Sequence, residues 1–297
     1  MTQNNTVTSS TLEGLLRRDK IVTGVAIAFL VILASLYTAF GVGMKMSAIE
    51  MTPGLTQSKM PMSDFRAKTL TPSQSRTAVP VMGAMKKMIM EPASWSMTYG
   101  VLVFLMWWIM MVAMMLPSAS PMILLYTALI RKTHKEKNIF SEVSFFILGY
   151  LLAWFVFSIF ATLLQSQLEL RGWMSPMMME ATNNNLIAII LISAGVYQLT
   201  PLKTACLEKC RQPANFLANY KNTWVSSPFR IGLVHGCYCL GCCWFLMGLL
   251  FIGGIMNLYW IVGLIIFVAI EKLHEKGELL GRVLGAGAVI SGVVYLV

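Results

Sequence analysis

The chain has 297 residues, of which 57% are hydrophobic and only 12% charged, and its mean hydropathy is +0.68. An ordinary soluble domain carries about 25% charged residues, so the composition excludes a large soluble core and indicates a multi-pass protein whose solvent is the lipid bilayer. The net charge of +10 does not indicate nucleic acid, because the basic residues are scattered through short loops between apolar runs and form no stripe or recognition module.

Residues 1–20 are a polar tail that ends in Arg17-Arg18-Asp19-Lys20. The apolar run 21–43 is too long for a signal-peptide core and has no small-residue cleavage site behind it, so it reads as the first transmembrane helix. Residues 44–93 form a polar segment rich in Ser, Thr, Pro and Met. Everything from 94 to 297 reads as one membrane helical domain. Its spans are expected at about 98–118, 143–164, 186–200, 230–252, 256–270 and 284–297. The first of these stops near Pro117 and Pro121, with 122–130 as a kinked extension. A Met-containing loop is expected at 168–185, and the loop 201–229 carries Cys206 and Cys210. Gly253-Gly254 turns the chain. The expected fold is therefore an all-α membrane bundle of about seven transmembrane helices, or six if the Gly-rich C-terminal tail does not span.

Orientation follows from the basic residues. With the N-terminus inside, the tail and alternate short loops collect fifteen of the 23 Lys and Arg residues. Most of the rest lie in the long 44–93 segment, which weighs little in this rule. This places Cys206, Cys210, His235 and Glu271 near the cytoplasmic face, with 44–93 outside.

All six cysteines lie between Cys206 and Cys243. Disulfide scaffolds spread cysteines along a chain, so this clustering favours metal or redox chemistry. Residues 235–243 read HGCYCLGCC. On a helix, His235 to Cys239 is an i,i+4 step and Cys239 to Cys242 is i,i+3, which holds these three within an arc of about 60°. Cys243 borders the arc and Cys237 points away. Thiolate and imidazole select Cu(I) or zinc, whereas calcium and magnesium require oxygen ligands. No Asp or Glu falls inside an expected span. The plainer alternative is a packing histidine with cysteines as small apolar filler. Cys206 and Cys210 form C-x-x-x-C just before this run. They either complete one closed site with it or form a separate station on a path.

Methionine is abundant, at 23 residues. In MWWIMMVAMMLP, Met106, Met110 and Met114 follow i,i+4,i+8, and Met111 and Met115 form an adjacent row. Such a stripe either packs the core or conducts a soft cation, and Met110 and Met114 are its candidate ligands. Near the ends of the sixth span, Glu271 reads either as a carboxylate orienting His235 or, preferably, as ordinary interfacial pairing beside Lys272.

Four stretches, MWWIMMVAMMLPS, YQLTPLKTACLEKCRQP, HGCYCLGCCWFLMGLLFIGGIMNLYW and EKL, together resemble the bacterial family of predicted metal-binding integral membrane proteins, whose domain carries an unknown-function label. The resemblance covers roughly 95–290. It implies a metal-binding role, with Cys206, Cys210, His235, Cys239, Cys242 and Cys243 at the motif positions and Cys237 additional.

The function expected from these readings is copper handling. Cu(I) would be captured, transported or delivered to a cuproenzyme, with a metallochaperone or other membrane subunits as further partners and zinc as the other candidate metal. No nucleotide-binding motif is present. The rival readings are a metal-bearing or accessory subunit of a membrane oxidoreductase or monooxygenase, and an assembly subunit with redox-active thiols. With three histidines in the chain, a multi-histidine catalytic site is disfavoured.

Overall fold

The computed structural model describes residues 23–25, 27–38, 40, 95–133, 139–176, 179–220, 227–274 and 276–296. The expectations for the tail 1–20 and the segment 44–93 lie outside these residues. The described part is all-α apart from one two-stranded hairpin. In chain order it contains α1 (Thr23–Thr38), α2 (Met97–Thr133), α3 (Ile139–Leu170), β1 (Met174–Ser175), β2 (Glu180–Ala181), α4 (Asn184–Leu199), α5 (Pro201–Arg211), α6 (Pro213–Tyr220), α7 (Pro228–Gly248), α8 (Leu250–Gly253), α9 (Leu258–Leu273) and α10 (Gly277–Leu296).

Among the described residues four helical segments, not seven, are long and apolar enough to cross a membrane: Met97–Arg131, Ile139–Leu170, Pro228–Gly253 and Gly277–Leu296. The bent pair α4–α5, with 65° between its halves, makes a fifth if it is one span. The shortfall is a matter of length, since a spanning helix needs about 20 residues while α4 and α9 have 16 each. α1 is also a short apolar helix.

Local sequence explains the boundaries. Asn183 caps α4 by accepting from the N–H groups of Asn185 and Leu186, and Asn257 caps α9 by accepting from Tyr259. Thr200 ends α4 and caps α5, with Pro201 at the first helical position. The expected stop at Pro117 and Pro121 does not occur, and α2 runs unbroken for 37 residues. Pro121 cannot donate to the Pro117 carbonyl, but the Ser120 hydroxyl donates to that oxygen at 2.7 Å. A nearby side chain thus repairs the ladder, which apolar surroundings require. Gly254, at φ 87°, makes the turn after α8.

α3 packs along α7, α2 along α3, and α4 along α10. The α3–α7 crossing is unusually close because glycines face backbone. A Cβ on Gly149 would strike the Phe229 carbonyl, one on Gly232 the Phe146 carbonyl, and one on Gly236 would lie 2.9 Å from the Tyr150 carbonyl. Small residues let two helix backbones approach this closely. Gly232→Ala is therefore expected to cost about 1–3 kcal/mol through overpacking. The check is a lowered thermal midpoint of the detergent-purified protein. Gly248→Ala, where a Cβ meets nothing within 4 Å, should not lower it.

Candidate metal centre

The close α3–α7 crossing sets the site. His235, Cys239, Cys242 and Cys243 on α7 are all at most 3% exposed, while Cys237 is exposed. This is the helical phase read from the sequence. α5 lies against α7, so Cys206 and Cys210 stand on a helix and not in the expected loop. The Cys210 thiol lies near those of Cys239 and Cys242. Cys206 is placed differently, with its Sγ against Gly241, 2.9 Å from where a Cβ would stand.

Cys239 is the centre of the cluster. Its Sγ lies 3.1 Å from the Tyr150 hydroxyl on α3 and 3.0 Å from Lys272 Nζ on α9. Lys272 also donates to Ser118 Oγ on α2 at 3.0 Å. The Tyr150 hydroxyl also donates to the Met115 carbonyl at 3.0 Å, so it bridges α2 and the Cys239 sulfur. The thiols of Cys242 and Cys243 donate to the Cys239 carbonyl at 3.1 and 2.8 Å. Those two sulfurs are thus turned to backbone, and among the described residues no three His, Cys, Asp or Glu side chains are arranged as a ready-made metal site. What the helices bring together is four thiols and one ammonium group in a buried pocket, a soft donor set with its own counter-charge.

His235 lies one turn from Cys239, among the rings of Phe146, Tyr150 and Phe216. Its Nδ1 is buried with no hydrogen-bond partner. Most buried polar atoms are satisfied, so this nitrogen suits a ligand better than a packing role. Met110 and Met114 are buried in the core as expected, at 0% and 1% exposure. The methionine that reaches the thiols is Met115, whose Sδ is 3.9 Å from Cys243 Sγ.

Glu271 does not orient His235. It forms a buried ion pair with Lys203 of α5 and faces Gly281 of α10, where a Cβ would strike its carboxylate. The pairing expected for Glu271 is thus made inside the protein, and Lys272, expected to snorkel, is buried and turns to Cys239. Tyr150, Lys203 and Lys272 carried little sequence signal. Lys203 stands three residues before Cys206 and Lys272 follows Glu271, but their convergence on α7 depends on the α4–α5 bend and the packing of α9.

The Lys203–Glu271 pair joins α5, which carries Cys210, to α9, which carries Lys272. Lys203→Met leaves a buried carboxylate without its partner and is expected to cost about 3–5 kcal/mol. The double replacement Lys203→Met with Glu271→Leu should recover most of that loss. Denaturation of the single and double variants in detergent checks both values.

The chain belongs to the PpoB2 family, described as a copper chaperone, whose model matches residues 104–295. No curated protein and no solved structure matches it.

Proposed function

We propose that this member of the copper chaperone family is an integral protein of the bacterial inner membrane, and that it holds Cu(I) at the thiol cluster for transport or for delivery to a cuproenzyme. The observation that carries the reading is the convergence of Cys210 from α5 with Cys239, Cys242 and Cys243 of α7 around Lys272. Thiolate sulfur suits Cu(I) or zinc, and the copper chaperone family favours the first. Two thiolates on one monovalent ion leave a net negative charge, which is expensive in apolar surroundings. Lys272 cancels it. Rotation of Cys242 and Cys243 away from the Cys239 carbonyl would supply further sulfurs, and Met115 stands beside Cys243. His235, with its unpartnered Nδ1, is the next ligand toward the N-terminal end of α3. Cys206, partly buried against Gly241, would pass the ion outward from Cys210. The basic residues of the short loops would keep this end cytoplasmic, with the N-terminus on the same side.

Copper content tests the reading. Protein purified in detergent under reducing conditions should carry copper, and Cys239→Ser and Cys242→Ser should lose it, while Cys237→Ser should not. Metal content that stays unchanged in the first two variants would overturn the site. One equivalent of zinc and no copper would identify a structural centre instead. Lys272→Gln should keep the fold and weaken Cu(I) binding about 10–100-fold, the usual effect of removing a group that supports metal ligands, as read by competition with a chromophoric Cu(I) chelator.

A further inference from the structure

Lys272 brings a fixed positive charge into the thiol cluster. Glu271, its neighbour in the chain, pairs with Lys203 of α5. Lys272 instead donates to Cys239 Sγ and to Ser118 Oγ, at 3.0 Å each. Ser118 donates in turn to the Met115 carbonyl at 2.8 Å, so its oxygen turns lone pairs to the ammonium group. Tyr150 reaches the same carbonyl and the same sulfur. α2 thus seats the ammonium group beside Cys239 through a hydrogen-bonded chain of its own. Lys272 is 7% exposed, and a charge buried this far in membrane-length helices is expensive and is usually functional.

A fixed charge sorts metal ions by their own charge. An ion bonded to Cys239 Sγ would lie one metal–sulfur bond, about 2.3 Å, from an atom that is itself 3.0 Å from the ammonium nitrogen. At a given separation the repulsion is twice as great for a divalent ion as for a monovalent one, and a buried pair is little screened. One monovalent ion on two thiolates leaves a single negative charge, which Lys272 cancels. One divalent ion on the same two thiolates is already neutral, and Lys272 is then a buried cation without a counter-charge. A divalent ion restores the balance only with three thiolates, and its tetrahedron then asks for a fourth donor. Cys242 and Cys243 both donate to the Cys239 carbonyl, so drawing in four donors gives up more of these bonds than drawing in two.

We infer that Lys272 sets the specificity of the thiol cluster, admitting monovalent soft ions, Cu(I) and Ag(I), and rejecting divalent thiolate-binding ions such as Zn(II). The inference rests on the copper reading given above and adds what that reading leaves open, since thiolate sulfur by itself suits either metal. Lys272 acts as a positioned charge and not as a ligand, because an ammonium group has no lone pair to offer.

Affinities for Cu(I) and Zn(II), each read on the full chain in detergent under reducing conditions by competition with a chromophoric chelator, test this. Wild-type protein should prefer Cu(I), and Ag(I) should displace Cu(I) where Zn(II) does not. Lys272→Met should weaken Cu(I) binding about 10–100-fold without weakening Zn(II) binding, so the preference narrows by the same factor. Lys272→Arg keeps the charge and should keep the wild-type preference even where both affinities fall. Where Lys272→Met does not fold, Lys272→Gln, which keeps a donor for Ser118, gives the same reading. A neutral Lys272 variant that weakens both ions in the same proportion overturns the inference and leaves the copper reading standing. Wild-type protein that takes up no Cu(I) overturns the copper reading itself.

Discussion

The close approach of α3 and α7 is the constraint on which the thiol cluster depends. Gly149, Gly232 and Gly236 let two helix backbones meet where side chains would hold them apart. Only at that distance does the Tyr150 hydroxyl reach both Cys239 and the Met115 carbonyl. Tyr150 therefore ties α2, α3 and α7 at one level. Gly241 does the same on the other side of α7, where the absence of a side chain admits the sulfur of Cys206. Bulk at any of these glycines would separate groups that chemistry needs in contact, even if every helix still formed.

Charge is the second constraint. Three ionisable side chains, Lys203, Glu271 and Lys272, are buried around the α5–α7–α9 junction. Burying an ion costs several kcal/mol unless it is paired, so each must be answered within the protein. Lys203 and Glu271 answer one another. Lys272 donates to the Ser118 hydroxyl and the Cys239 sulfur, so that sulfur stands where a negative charge is stabilised, and a thiolate is the form in which a cysteine ligates.

Helical periodicity made much of this legible in the sequence. The separation of Cys237 from His235, Cys239, Cys242 and Cys243 follows from 100° per residue, and α7 obeys it because it is a regular helix. The methionine row of α2 was visible for the same reason. Three features were hidden because they depend on where helices end or bend. Pro117 and Pro121 suggested a stop, but a serine hydroxyl replaces the missing donor. Cys206 and Cys210 looked like loop residues because α5 is short and polar, with its role set by the 65° bend before it. Glu169 looked like a loop residue because the apolar run fades before it. The repeat Ala161, Leu168 and the polar ladder Gln165, Glu169 continue the buried face of α3 past that point.

On the copper reading the thiols hold the ion more firmly than any neutral thioether of α2, because sulfur anions combine charge with softness. Release from them calls for a competing sulfur donor that approaches from outside the cluster. Of the α5 thiols, Cys206 sits at the edge against Gly241 while Cys210 lies near Cys239 and Cys242, so α5 is the side on which a partner's thiol would meet the cluster.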